Sequence, residues 1–465
     1  MRWPYDDSKL TLTSGGTPDP FVNIFWGQYY LTFTAGDRIE IWSSNSLADM
    51  EATATKHHIW KPPQDSEHSA EIWAPELHAL RGRWYIYFAA ANPREGNKSH
   101  RMYVLGGPAA TEDPCSGGGG GWEFLGPIRD MPDQWAIDGT VFELEDQLYL
   151  AYSGWPLEEG DETQGSMNMN PVDFRRGHGT QRRLGSSNSK RDKLRGNSNS
   201  TVAGGNTTTT TATTAAAGIP APAPPPPPPP PPPGMVQHLF LVRLSDPSTA
   251  GSWPVAVSLP QQSWEITRDG AGAHAINEGP QWLASPDGRW RGLVYSCAGS
   301  WTHEYKMATL RYRGGEPLDP SSWQKSPAPL LQTRKRAGAT TRSSSSSGPG
   351  PFGPGHGSFL DLGRGDVVAV YHATDAPDDG WENRRARVQR VAFTEKGPYM
   401  GKSFGVEGPF KRDGLVARMR AGMVEGMYRR YNKRRKERSA ADEVEGFRAF
   451  LETRRLENGA RTDEM

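Results

Sequence analysis

The sequence predicts an all-β fold, a five-bladed β-propeller with a disordered insert in the third blade and a helical C-terminal extension. Three observations lead there. Short runs rich in aromatic and β-branched residues recur along the chain: QYYLTF (Gln28 to Phe33), RWYIYFA (Arg83 to Ala89), QLYLAYSG (Gln147 to Gly154), RGLVYSCAG (Arg291 to Gly299) and DVVAVYHA (Asp366 to Ala373). Each reads as the second strand of an antiparallel hairpin. Upstream of each lies a first strand with an unusual polar residue inside it: Asp19, Glu76, Asp138, Glu278 and His356. No helical-period stretch separates the repeats, which argues against a parallel α/β sheet. Four-stranded sheets arranged radially bring the first strand of every blade to a central channel. The five polar residues are therefore expected to converge on one axis.

Taken in order, the first blade is expected around TPDPFVNIF (Thr17 to Phe25) and the second around EIWAPELHALRGRWYIYFAA (Glu71 to Ala90). The third begins at AIDGTVFEL (Ala136 to Leu144) and is interrupted at 158–234, where a basic polar stretch leads into a Thr/Ala tract and the proline run Pro224 to Pro233. Such a segment buries too little apolar surface to offset its ordering entropy, and its prolines form a polyproline II rod. Strand pattern resumes at MVQHLFLVRL (Met235 to Leu244), so the insert falls within a blade, which the slow growth of loop-closure entropy with length tolerates. The fourth blade opens at INEGPQWL (Ile276 to Leu283) and the fifth at GPGHGSF (Gly353 to Phe359), with a short Ser/Gly insert at 334–350 before it. Residues 1–410 are then expected to form the propeller. Residues 411–465 are expected to form the helical extension, whose basic cluster Arg429 to Arg438 reads as a solvated helix face, with a nuclear address or a polyanion patch as the alternatives.

Composition narrows the function. Lys plus Arg (53) equal Asp plus Glu (53), so no global field marks a nucleic-acid or membrane binder. Two cysteines, Cys115 and Cys297, exclude a disulfide scaffold and a multi-cysteine zinc module. No stretch reaches the roughly 18 apolar residues of a membrane span, and the first residues hold no apolar export segment.

Asp19, Asp138 and Glu278 each stand beside Pro or Gly ahead of an apolar run. A carboxyl at the start of a buried strand is poorly solvated, which raises its pKa, and a neighbouring carboxylate raises it further. Three acids on one axis can then hold different protonation states at one pH, which is what an acid and base pair needs.

The ordered set DPFV, IWAPELH, IDGTVFE, INEGP, GPGHGSF and YHA followed by RARVQ resembles glycoside hydrolase family 43, five-bladed propellers that cleave arabinose- and xylose-containing glycans. DRIEIW (Asp37 to Trp42) and the Glu71 to Ala90 segment are similar to its exo-acting α-L-arabinofuranosidases. The resemblance implies an inverting hydrolase that releases terminal α-L-arabinofuranose from 1,5-linked arabinan or arabino-oligosaccharides. Asp19 matches the general base, Glu278 the general acid, and Asp138 the carboxylate that tunes the acid. Inversion implies a gap of roughly 6.5–9.5 Å between base and acid.

Trp73 is implied as a platform for a furanose ring, against the alternative of a core tryptophan between blades. His274 is a pocket wall or a loop residue. Arg387 is implied to reach the pocket, with Arg384 and Arg385 competing for that place. His356 is implied to meet a structural calcium through its water shell, or to be hydrogen-bonded within the channel. The same machinery serves β-xylosidases and endo-arabinanases, and a non-catalytic carbohydrate-binding propeller is the alternative from another class. The expected partner is an arabinose- or xylose-containing oligosaccharide or polysaccharide, with no nucleic acid or membrane, for a monomer. Family members are usually secreted, which leaves the compartment open.

Overall fold

The computed structural model describes residues 10–156, 233–333 and 351–400, apart from residues 271, 364, 378 and 380. The expected helical extension 411–465, the insert 334–350, and the insert 158–234 up to its last two residues lie outside the described residues. The chain divides into two units, Met1–Leu157 with Pro230–Met465 and Glu158–Pro229, and all described residues belong to the first.

Twenty strands of that unit form five antiparallel blades of four. Blade one holds Phe21–Phe25, Gln28–Thr32, Ile39–Ser44 and Thr55–Trp60; blade two holds Ala70–Leu80, Arg83–Ala91, Arg101–Ala109 and Glu123–Pro127. Blade three comprises Ala136–Leu144, Gln147–Gly154, Pro233–Asp246 and Val255–Ser258, and blade four Gly272–Ala284, Arg291–Cys297, Lys306–Tyr312 and Trp323–Lys325. Blade five takes three strands from the C-terminal side, Phe352–Asp361, Val367–Thr374 and Arg385–Thr394. Its fourth is Leu10–Thr11, which pairs Leu10 with Val388 and Thr11 with Arg387. Closure therefore joins the two ends of the described chain.

The second strands read as unbroken apolar runs because both of their faces are covered. Tyr29 and Leu31 pack towards blade five, whereas Tyr30 packs towards blade two. Trp84, Ile86 and Phe88 face blade one, while Tyr87 and Ala89 face blade three. Blades three and four share a core around Phe142, Tyr149, Leu293 and Tyr295, and blades four and five one around Val294, Met307, Ala369 and Tyr371. Five cores in five gaps make a ring, and burial on both faces, rather than alternation, is its sequence signature.

Blade three survives its interruption. Gln147–Gly154 pairs with Pro233–Asp246 in continuous antiparallel register from Leu148↔Leu244 to Gly154↔His238. The strand starts at Pro233, two residues earlier than MVQHLF suggests.

Each blade is kinked at one equivalent point, within its inner strand or, in blade one, two residues before it. Asp19, Ala74, Asp138, Gly279 and His356 all have positive φ, between 41° and 58°, and each is followed by Pro or Gly. In blades two, three and four, the kinked residue and its follower lie opposite a single residue of the second strand, a β-bulge that re-aims side chains towards the axis. Non-glycine residues held in this region carry strain of order 1–3 kcal/mol each, and such strain clusters at functional sites.

Candidate active site

The kinks of blades one, three and five present Asp19, Asp138 and His356 to one another. Nδ1 of His356 lies 3.2 Å from Oδ1 of Asp19 and 3.8 Å from Oδ2 of Asp138. Glu278 stands one residue ahead of the blade-four kink, and the Gly279 amide behind it donates to Asp138 Oδ2 at 3.1 Å. Gly279 suits this point because φ is +53° and a Cβ there would come within 3.1 Å of the His356 ring.

These groups are buried together, yet their proton affinities diverge. Burial pushes the Asp19 carboxyl up, but the charge and hydrogen bond of His356 outweigh it, holding Asp19 well below the usual carboxylate range. Asp138 is pushed up to about 6, by burial first and by the Asp19 charge, against the opposing pull of His356. Glu278 is pushed up to about 8 by burial and then by Asp138. His356 goes the other way: burial disfavours its charge, but Asp138 and Asp19 raise it to about 10, so it is an imidazolium at neutral pH. At neutral pH the site therefore holds two ionised aspartates with the His356 cation between them and one protonated glutamic acid. The Asp19 side chain keeps 14% of its surface open, against 6% for His356 and Asp138, which leaves it reachable by water.

Residues remote in sequence hold Asp19 in place. Oδ2 accepts from the Thr34 hydroxyl at 2.7 Å, and the same hydroxyl accepts from the Ala74 amide at 2.7 Å, tying the first kink to the second. The Asp19 backbone N–H donates to Nδ1 of His372 at 3.0 Å. Burial and the Arg384 charge push His372 down to about 3, so it is a neutral acceptor. Arg384 brings Nη1 within 3.8 Å of Asp19 Oδ1 and anchors Nη2 on the Ser300 carbonyl at 2.7 Å.

The remaining sequence candidates fall in different places. Trp73 occupies the residue before the blade-two kink, the position Glu278 occupies in blade four. It is half-buried and stacked on His100 with centroids 4.0 Å apart. Arg387 is fully buried, spanning Thr11 and Asp375, so Arg384 is the arginine that meets Asp19. His274 belongs to a separate group, bonded to Asp269 at 3.0 Å and set edge-on to Trp301. Glu76 lies two residues past its kink and is bound by His78 at 2.8 Å and by Gln281 of blade four. It is an axial tie rather than a counterpart of the three acids.

Sequence reasoning passed over Thr34 and His372 and left Arg384 as one of three competing arginines. His372 did carry a signal, as the polar residue in the otherwise apolar run DVVAVYHA.

For calcium, the donor chemistry at His356 is one charged imidazole whose Nδ1 already faces two carboxylates. Among the described residues, no group of three or more His, Cys, Asp or Glu side chains is arranged to hold a metal. The residues present do not form a direct calcium cage, which calls for six to eight oxygen ligands.

Residues 11–184 match the model of Glycosyl hydrolases family 43. The chain is 28% identical over 352 residues to an extracellular exo-alpha-(1->5)-L-arabinofuranosidase of Streptomyces chartreusis, covering 75% of this chain and 76% of that one. A protein of the same name from Streptomyces avermitilis is 25% identical over 80% of this chain and 58% of its own length. The crystal structure of an alpha-L-arabinofuranosidase from Lactobacillus brevis superposes with a TM-score of 0.57 at 24% identity, covering 85% of this chain and 96% of the other.

Proposed function

We propose that this chain, whose residues 11–184 match the model of Glycosyl hydrolases family 43, is an inverting exo-hydrolase releasing terminal α-L-arabinofuranose from 1,5-linked arabinan or arabino-oligosaccharides. The observation that carries the reading is the split in protonation: Asp19 ionised and Glu278 protonated within one buried cluster. An inverting glycosidase needs that pair, a base for water on one face of the sugar and an acid for the leaving oxygen on the other.

In the proposed cycle, Asp19 takes a proton from a water molecule, whose oxygen attacks the anomeric carbon as the glycosidic bond breaks. Glu278 delivers its proton to the departing oxygen. The Thr34 hydroxyl and the His372 acceptor fix the orientation of Asp19. Asp138 keeps Glu278 protonated by like charge while the His356 imidazolium balances the two aspartates. Trp73 supplies an indole face for the apolar C–H surface of a pentose.

Proton NMR of the full chain acting on α-1,5-arabino-oligosaccharides tests this. The first-formed product is expected to be β-configured arabinose, released one residue at a time. Initial formation of the α-anomer, or no turnover of arabinosyl substrates, would sink the proposal.

A further inference from the structure

Tyr305 precedes the third strand of blade four and is 1% exposed. Its hydroxyl is buried and, among the described residues, has no hydrogen-bond partner. Leaving such a group unpaired costs on the order of 1–3 kcal/mol, so the position calls for a reason. Its ring stacks on His372, centroids 5.6 Å apart and planes 13° apart, and His372 accepts from the Asp19 amide. Gly355 is shaped around it, since a Cβ there would lie 2.0 Å from Cε1 of Tyr305. The groups within electrostatic reach of the phenol are Glu278, Asp138 and Arg384.

We propose that Tyr305 is a positioning residue for the general acid: its phenol donates a hydrogen bond to the Glu278 carboxylate as that group gives up its proton to the leaving sugar oxygen. The inference rests on the reading of Glu278 as the acid. The proton of Glu278 passes to the glycosidic oxygen, the water proton passes to Asp19, and the phenol keeps its own proton throughout. In the resting site Glu278 is protonated and lies within reach of the hydroxyl, without a well-formed hydrogen bond between them. When negative charge develops on the carboxyl, the bond becomes charge-assisted and roughly twice as strong as a neutral one. An interaction stronger in the transition state than in the ground state accelerates the step.

Glu278 is faced by Asp138 from blade three, His356 from blade five, Arg384 and Tyr305. Cys297, on the neighbouring strand, is held neutral by burial. Of these groups Tyr305 alone is an uncharged donor with an unused hydrogen, so its removal has a distinct signature.

The test is Tyr305→Phe in the full chain, assayed on an aryl arabinofuranoside with a good leaving group and on arabinobiose with a poor one. On arabinobiose kcat is expected to fall about tenfold, with a much smaller loss on the aryl substrate, which needs little help from an acid. The alkaline limb of kcat/KM is expected to move up by about one pH unit, because the anion of Glu278 loses a stabilising donor. Equal losses on both substrates with an unmoved limb would make Tyr305 structural and overturn the proposal, as would unchanged kinetics. If the parent turns over no arabinosyl substrate, the arabinosyl reading fails on its own account. Tyr305 is then judged by the infrared carboxyl titration of Glu278, assigned with Glu278→Gln, and a band that titrates identically in Tyr305→Phe overturns it.

Discussion

The Glu265–Lys325 pair beside blades three and four and the Asp19–His356–Asp138 cluster at the axis both bury charge, but they satisfy it differently. Glu265 has no exposed surface and accepts from the Gln261 and Gln262 amides at 2.8 and 2.7 Å. It also accepts from Asn277 at 2.9 Å, the Tyr295 hydroxyl at 2.8 Å and Lys325 Nζ at 2.7 Å. Lys325 spends further bonds on the Leu259 carbonyl and on Asn277. At the axis, three kinked residues share one cation, two carboxyls are pushed above their usual range, and the Tyr305 hydroxyl and His372 Nε2 have no partner among the described residues. A saturated network fixes one structure, whereas an unsaturated one holds groups ready for something absent. That contrast separates a scaffold charge from a reactive one more sharply than burial does.

The largest effect should come from the acids. Asp19→Asn and Glu278→Gln are each expected to lower kcat on arabinosyl substrates by about 10²–10⁴-fold, the range for lost acid or base catalysis. Glu278→Gln should also raise the melting temperature at pH 8. Glu278 has its folded pKa raised to about 8 from an ordinary value of 4.5, so across that window the folded state holds a proton that the unfolded chain has lost. Stability therefore falls as pH rises through the window, and a neutral amide removes that loss. Calorimetric scans at pH 4 and pH 8 check the sign: a gain at pH 8 that vanishes at pH 4. A lower melting temperature for Glu278→Gln at pH 8 would put the axis in the same class as the Glu265 network.

Lys325→Met should do the reverse. Breaking a buried pair by removing one partner costs about 3–5 kcal/mol because the other charge stays buried and uncompensated. Denaturant unfolding is expected to show that loss while kcat per folded molecule stays near the parental value. A stable variant with little activity would mean that this network, too, serves the reaction.

How much of this was legible in the sequence follows from how locally each feature is encoded. The second strands are written plainly, since a strand between two neighbours is apolar on both faces, as RWYIYFA is. The kinks are legible as Asp-Pro, Asp-Gly and His-Gly pairs, because Pro or Gly follows the strained residue. Their register is not. Glu278 lies one residue ahead of its kink and Glu76 two residues past its own, so equating the polar positions merges three different orientations. The choice of Arg384 over Arg387 is likewise hidden: Arg387 lies within the strand that receives Thr11, while Arg384 stands just before that strand and so turns to the pocket. Thr34, His372 and Tyr305 act through contacts with distant parts of the chain, such as the 353 residues separating Asp19 from His372, which no local pattern encodes. Burial alone predicts a raised Asp19, and the opposite outcome depends on an imidazolium contributed by another blade.

The finest division within the axial cluster concerns what raises Glu278. Burial and the Asp138 charge push its pKa up, while the Tyr305 phenol, His356 and Arg384 pull it down. In the parent, kcat/KM should rise as Asp19 ionises, below the usual carboxylate range, and fall as Glu278 loses its proton near pH 8. Asp138→Asn removes the like charge, so Glu278 should ionise more easily and the alkaline limb should move down by about one pH unit. Tyr305→Phe removes a stabiliser of the anion, so its limb should move up. Two single substitutions on either side of one carboxyl thus shift the same limb in opposite directions, and in the double variant the shifts should largely cancel. Global loosening of the site would instead move both limbs the same way, because added water would relieve the burial that dominates Glu278. A pH series of kcat/KM for the two variants and their combination distinguishes the cases, and a common direction would contradict the paired roles argued for Asp138 and Tyr305.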